Sequence, residues 1–252
     1  MNLISPRLSS AARYLRGADA PHRWKLSRAD CPLCGRSYFL SLRGDPFMTR
    51  CLSCKATATN LSLIPVIRKH FNDRYQGRVA YELSTYGSTL DWLRRNFDRV
   101  ITSEFMAGQP LGKQVNGIRN EDVQQLSFES DSIDLVSSNQ VFEHVPDDLL
   151  GFKECLRVLK TGGAMVLSLP LFDGPATRRI ARLENSRVVF LGEPEYHDSR
   201  LEGAYSVPVF WHHAACDIAA RVNSVGFRFA ELVYVTIAPT QTMPAKIIYA
   251  VK

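Results

Sequence analysis

The chain is predicted to fold as an α/β protein with a mostly parallel sheet, preceded by a small separate module. Three observations carry this. Asp131 to Pro170 (DSIDLVSSNQVFEHVPDDLLGFKECLRVLKTGGAMVLSLP) sets two apolar runs, IDLVSS and AMVLSLP, around an amphipathic segment. From Val79, VAYELSTYGSTLDWLRRNF and then DRVITSEF repeat the order strand, turn, helix, strand. Upstream, four cysteines occur as two C-x2-C pairs, which marks a module of different chemistry.

In the first of these segments Leu149, Leu150, Cys155, Leu156 and Leu159 fall near helical spacing, with Lys153, Glu154, Arg157 and Lys160 on the other side. Gly162 and Gly163 are expected to end that helix and let the chain reverse into the next strand. A strand, a crossover helix and a second strand favour a parallel sheet that binds ligands beyond the C-terminal ends of its strands. Ser137, Ser138, Asn139 and Gln140 lie at such an end and are site candidates, while Asp134 is expected to fix the strand edge. The chain closes with two further apolar runs, RFAELVYVTI and AKIIYAVK.

Cys31, Cys34, Cys51 and Cys54 have the spacing C-x2-C-x16-C-x2-C. Two thiolates on a tight knuckle bind one face of a tetrahedral ion, so two knuckles enclose it, which points to a structural Zn2+ site in a zinc ribbon. Gly35 follows the first pair, where a knuckle often needs positive φ. Between the pairs, SYFLSLRGDPFMTR reads as two short strands around an RGDP turn. Disulfides would suit a secreted chain, and a redox C-x-x-C would not need a second copy. Cys155 and Cys216 are expected on helices as core thiols.

At 252 residues the chain can bury a full α/β core and carry a small appended module. No apolar run approaches the roughly 20 residues of a membrane span, so no membrane segment is expected. MNLISPRLSSAARYLRG lacks a continuous apolar stretch, so a secretory signal is not expected and the location reads as cytoplasmic. This segment reads as a weak amphipathic helix or as loosely ordered. The net charge of +6 is uneven: residues 1–78 hold 14 Lys/Arg against 4 Asp/Glu, and residues 79–252 hold 17 against 21. The basic module could face nucleic acid, an acidic polymer or a phosphorylated substrate, or be simply a solvated surface.

The order of Asp134 opening a strand, SNQVFEHV, RVLKTGG and a strand ending in proline resembles class I S-adenosylmethionine (SAM)-dependent methyltransferases, especially the small-molecule branch. The resemblance implies a Rossmann-like sheet closed by an antiparallel pair formed by the last two runs. It divides the chain into a basic segment 1–28, a zinc ribbon 29–58, a linker helix 59–78 and a methyltransferase domain 79–252. The stretch at about 171–209 is then a substrate-lid insertion.

The resemblance also implies where SAM is held. Glu82 ends the first strand, and Ser84, Tyr86 and Gly87 form the turn that follows. Ser84 and Tyr86 stand where the family often has glycine, so the turn is either a variant SAM site or one that no longer binds cofactor. Glu104, with Phe105 beside it, would take the ribose hydroxyls, and Asp122 the adenine amino group next to the Val123 backbone. Asn139 and Gln140 would position cofactor or acceptor. For Glu104 and Asp122 the competing reading is an N-cap or surface carboxylate.

Methyl transfer needs mainly alignment and exclusion of water, with a base where the acceptor is a hydroxyl or amine. Tyr196 and His197 in PEYHD are the candidates for a base or substrate orienter, with His144 of FEHVPDD as a further candidate or a structural residue. Arg178, Arg179, Arg182 and Arg187 suit a phosphate on the substrate, or form a solvated helix face. His212 and His213 are expected to open a helix, WHHAACDIAARVNSVGF, in which Trp211 is core. The reading favoured is a small-molecule methyltransferase acting on a sugar, nucleotide-linked or natural-product scaffold. Behind it stand an RNA methyltransferase that holds RNA with its ribbon, and a binding protein with a decayed SAM site.

Overall fold

The computed structural model describes residues 24–199, 201 and 203–252, so most of the basic segment 1–28 lies outside the described residues. The chain forms two compact units: residues up to Pro65 together with Tyr234–Ala245, and Val66–Val233 together with Lys246–Lys252.

In the first unit β1 (Lys25–Cys31), β2 (Gly35–Ser41) and β3 (Thr49–Cys51) make an antiparallel sheet in the order β1-β2-β3. The two strands expected around RGDP are β2 and β3, and β1 adds a third. Both knuckles end on a left-handed residue, Gly35 (φ 81°) and Lys55 (φ 66°), so the two C-x2-C turns are conformational copies. Thr57 then caps the short helix α1 (Ala58–Leu61) by accepting from the Asn60 amide at 3.3 Å, and α2 (Leu63–Phe71) follows. The segment 234–245 returns to this unit: the Thr242 and Met243 amides donate to Gly44 O at 2.9 and 3.1 Å. Ser27 Oγ lies 3.0 Å from Thr240 Oγ1.

The second unit is built on the strands expected from the apolar runs. In chain order these elements are β4 (Val79–Glu82), α3 (Ser88–Asn96), β5 (Arg99–Thr102), a small hairpin of β6 (Gln114–Val115) and β7 (Ile118–Arg119), and β8 (Ile133–Asn139). A 3-10 turn at Phe142–His144, α4 (Asp148–Val158) and β9 (Leu159–Ser168) complete the crossover. Strands β5, β4, β8 and β9 are parallel neighbours in that order. Beyond β5 the sheet continues as a single parallel bridge between Glu104 and Asn120.

Helix α4 buries Gly151, Phe152, Cys155 and Val158, and Asp147 caps it by accepting from the Leu150 amide. The two glycines do not end it, which corrects the sequence expectation: the helix stops at Val158 and β9 starts at once. Gly162 (φ 78°) and Gly163 lie inside β9. Their role is close approach. A Cβ on Gly163 would stand 2.9 Å from both Asp134 O and Lys160 O. Asp134 does fix the strand edge, its Oδ2 accepting from the Val79 amide at 2.9 Å and from Lys160 Nζ at 2.7 Å. The core beneath includes Tyr81, Val136, Phe142, Phe152, Met165 and Ile248, with the Phe142 and Phe152 rings stacked at 4.5 Å.

After β9 the chain is β-rich. It runs through β10 (Leu171–Phe172), β11 (Arg178–Arg179), β12 (Ala181–Glu184), β13 (Arg187–Phe190), β14 (Tyr196–Ser199) and β15 (Gly203–Pro208) to β16 (Trp211–Ala214). Strands β12 and β13 pair, as do β14 and β15, and β16 lies between β10 and β11. The four arginines therefore sit on strands or strand ends, not on a helix face. His212 and His213 likewise belong to β16; α5 (Ile218–Asn223) begins only after a turn, which leaves Cys216 exposed and off the helix. Pairing on both sides makes WHHA a strand; the helix expected there is thereby corrected. Cys155 is a buried core thiol on α4 as expected. Finally β17 (Phe229–Val235) and β18 (Ala245–Val251) complete the sheet, with β18 antiparallel to β9. Among the described residues no helix is long and apolar enough to cross a membrane.

Candidate functional site

Residues of the second unit gather beyond the C-terminal ends of its parallel strands. Glu82, the last residue of β4, faces Ser137 of β8 in register, and the Ser137 hydroxyl donates to Glu82 Oε2. The carboxyl is 1% exposed, and burial raises its pKa to about 7 against the Ser137 and Ser84 hydroxyls, with the Glu104 charge adding to the rise.

The turn after β4 explains its own lack of glycine. Gly87 is the N-cap of α3 with φ 122° and ψ 158°, a region essentially reserved for glycine. Ser84, Thr85 and Tyr86 are not among the residues with positive φ, so they carry side chains without strain. Ser84 Oγ donates to Tyr86 O at 2.9 Å. Thr85 reaches Glu104 twice, through its amide at 2.8 Å and its hydroxyl at 2.6 Å, both to Oε1. Tyr86 and Phe105 present exposed rings, 47% and 58%, past the ends of β4 and β5.

Asp122 closes a turn of its own, accepting from the Gln124 amide at 2.9 Å, and Val123 is buried behind it. Asn139 ends β8; its amide donates to Thr89 Oγ1 at 3.1 Å and its Oδ1 accepts from Ser168 Oγ at 2.8 Å. A depression of about 310 Å³ opens by Val79, Arg99 and Ile133. These are the first residues of β4, β5 and β8, on the edge opposite to where such sheets bind ligands.

The insertion brings His197 to His144. His197 Nδ1 lies 3.2 Å from His144 Nε2, with the rings edge to face at 4.8 Å. The tie is built by the backbone: the Phe210 amide donates to Glu143 O at 2.8 Å, and Trp211 Nε1 donates to Val145 O at 2.9 Å. His144 Nδ1 donates to Pro208 O at 2.8 Å. Burial lowers the His144 pKa to about 4.

Glu143 completes the group. Its Oε1 is 3.6 Å from His144 Nε2 and 3.9 Å from His197 Nδ1, and neither carboxyl oxygen has a hydrogen-bond partner among the described residues. Burial raises its pKa to about 8. Tyr196 is not part of this cluster. It alternates with His197 along β14 and packs its ring 5.2 Å from Phe190.

Sequence reasoning missed Glu143, although a lone carboxylate within VFEHV was a signal. It also missed the buried group of Asp148, Arg221 and His213. Arg221 Nε donates to Asp148 Oδ2 at 2.7 Å, and His213 Nε2 lies 2.8 Å from the same oxygen. His212 pairs instead with Glu195, at 2.7 Å.

In the first unit the four cysteine sulfurs all lie within 4.8 Å of one another. Cys31 Sγ is 3.7 Å from Cys54 Sγ, and Cys34 Sγ is 3.6 Å from Cys51 Sγ. Four thiolates on a tetrahedral Zn2+ at about 2.3 Å stand about 3.8 Å apart, so the donor set fits that ion. Ser37 Oγ lies 3.2 Å from Cys51 Sγ.

The sequence profile of the methyltransferase domain family matches residues 83–167, from the end of β4 to the end of β9. Over these residues the second unit carries the sequence signature of the methyltransferase domain family, on a mostly parallel Rossmann-like sheet. No curated protein sequence matches the chain. Among solved structures, the domain is similar to the 1,6-didemethyltoxoflavin-N1-methyltransferase of Burkholderia thailandensis, solved with S-adenosylhomocysteine (SAH). The TM-score is 0.51 at 14% identity over 77% of this chain and 78% of that one. A SAM-dependent methyltransferase from Mesorhizobium loti gives 0.49 at 18% identity over 76% and 98%. The sugar N-methyltransferase KedS8 of Streptoalloteichus gives 0.49 at 14% over 77% and 86%. The second unit has a Rossmann-like sheet with an antiparallel closing strand, as expected.

Proposed function

We propose that this chain transfers a methyl group from SAM to a small-molecule acceptor, and that the zinc ribbon is a structural module held by Cys31, Cys34, Cys51 and Cys54. The observation that carries the reading is the joining of His197, from the insertion, to His144 just beyond β8. An insertion that contributes to the site from above the sheet suits an acceptor it can enclose. The Burkholderia enzyme, which shares the fold, acts by its name on a small heterocycle.

SAM supplies a methyl group already activated on a sulfonium. Glu82, buried at the end of β4, takes the cofactor's ammonium, which would lower its raised pKa. Glu104 takes the ribose hydroxyls, Asp122 the adenine amino group beside the Val123 backbone, and Tyr86 with Phe105 cover the cofactor. Gly87 and Ser84 let the turn approach the methionine carboxylate, and Asn139 aligns the reacting groups.

His144 stays neutral, its pKa lowered to about 4 by burial, and so serves to position groups in the site and not to take a proton. With Nδ1 donating to Pro208 O, its neutral ring presents a lone pair at Nε2. His197 orients the acceptor from the insertion side. Calorimetry with SAM and SAH tests the reading, followed by methyl transfer to a panel of sugar, nucleotide-linked and heterocyclic acceptors. Micromolar SAH binding is expected; a folded, zinc-loaded protein that binds neither compound overturns it.

A second reading rests on the ribbon surface. Trp24, Tyr38 and Phe47 are exposed on the same unit as Lys25, Arg28 and Arg36, a combination that can stack and neutralise single-stranded RNA. Its mark would be RNA affinity that falls steeply with salt.

A further inference from the structure

We propose that Glu143, His144 and His197 form a binding site for a divalent transition-metal ion, separate from the cysteine cluster. Three donor atoms converge: Glu143 Oε1, His144 Nε2 and His197 Nδ1, with mutual distances of 3.2, 3.6 and 3.9 Å. A point equidistant from three atoms so spaced lies about 2.1 Å from each, which is the bond length of Zn2+ to imidazole nitrogen and carboxylate oxygen. The spacing of the donor atoms therefore already matches that around a bound ion.

The orphaned carboxylate points the same way. Both Glu143 oxygens are buried and without a hydrogen-bond partner among the described residues, an arrangement that costs free energy unless something occupies the space between the donors. A cation satisfies the carboxylate and both imidazoles at once.

The surroundings have the form of a metal site's outer shell. His144 gives its other ring N–H to Pro208 O at 2.8 Å, which leaves Nε2 as the lone-pair atom. The outer nitrogen of His197, Nε2, lies 3.7 Å from Glu195 Oε1, and Glu195 is fixed in turn by His212 at 2.7 Å. Two imidazoles and a carboxylate favour Zn2+, Fe2+, Co2+ or Ni2+ over Mg2+ or Ca2+. Three protein ligands leave an open position, which an oxygen of the acceptor could fill. Metal binding itself does not require the methyl-transfer reading.

The test counts metal in the full-length protein loaded with Co2+ or Zn2+, by elemental analysis and by the optical spectrum of Co2+. Wild type is expected to hold one equivalent more than His197→Ala and one more than Glu143→Gln. The thiolate-to-cobalt band of the ribbon should be unchanged, and the weaker bands of a nitrogen–oxygen site lost. His197 is 38% exposed on its strand, so the first variant leaves the fold intact; SAH binding by each variant checks this. Equal metal content in wild type and both variants overturns the proposal and leaves a water-filled cluster. Loss of SAH binding from wild type would count against methyl transfer alone, not against the ion.

Discussion

Thr85 is tied to Glu104 by two hydrogen bonds to one carboxylate oxygen, from its amide at 2.8 Å and its hydroxyl at 2.6 Å. The turn after β4 is thereby clamped to the residue that ends the next strand's path. A turn with one glycine can hold its shape this way, because the clamp replaces flexibility with a charged hydrogen bond.

Thr85→Val removes the hydroxyl arm and keeps the shape. It is expected to destabilise the domain by about 1–2 kcal/mol, read in urea, since a hydrogen bond to a charged group is lost. Glu104→Ala should raise the SAH dissociation constant at least tenfold by calorimetry. An unchanged constant would remove Glu104 from the cofactor site.

Glu82 gives a pH dependence of definite sign. Its folded pKa is raised to about 7, above the unfolded value near 4.3, so the unfolded chain releases its proton first as pH rises. The cofactor-free protein therefore loses stability between about pH 4.5 and 7, by about 4 kcal/mol from this group, and no further from it above that. Glu82→Gln should remove this group's share of the slope, leaving that of Glu143, and be the more stable protein at pH 8, while binding SAM more weakly. Urea titrations at pH 5 and 8 compare the two.

Asp148 carries the opposite sign. Burial opposes its ionisation, but hydrogen bonds from Arg221 and His213 outweigh this, and its pKa is lowered. Its stabilisation is present above the unfolded value near 3.9 and is lost as pH falls through the lower folded value. Asp148→Ala strands a half-buried guanidinium and a buried imidazole and should cost about 3 kcal/mol. A melting temperature within a few degrees of wild type at pH 7 would contradict this.

Chelation of the ribbon should remove metal and unravel β1 to β3, because this small sheet has little core of its own. Cys51→Ser is expected to lose one zinc equivalent and to sharpen proteolysis between residues 24 and 65. A metal-free wild type purified without chelator would contradict a structural zinc.

Gly163→Ala tests the crossover. The added Cβ would meet Asp134 O of β8 and Lys160 O of β9 itself at 2.9 Å, so the start of β9 must distort as well as shift from β8. A loss of about 2 kcal/mol is expected, by the same urea measurement.

Much was legible in the chain itself. Apolar runs bounded by polar turns set β4, β8 and β9, because both faces of such strands are buried and must be apolar throughout. Cysteine spacing marked the four sulfurs, since a knuckle is a local structure. Local pattern misled where pairing decided: WHHA became a strand between β10 and β11, Gly162 and Gly163 entered β9 instead of capping α4, and the arginines of the insertion lie on strands. The segment 234–245 gave no sign of returning to Gly44 of the ribbon unit.

The sequence by itself determined the parallel α/β domain and the cysteine quartet, because each follows from short-range periodicity or spacing; Glu82 and Glu104 were legible only through the family resemblance. Only the tertiary structure decided that His197 meets His144 across 3.2 Å, that Glu143 is buried between them without a partner, and that Tyr196 stands apart. Those relations depend on how an insertion folds back over residues more than fifty positions away. No local preference encodes that distance; backbone hydrogen bonds such as Phe210 to Glu143 set it.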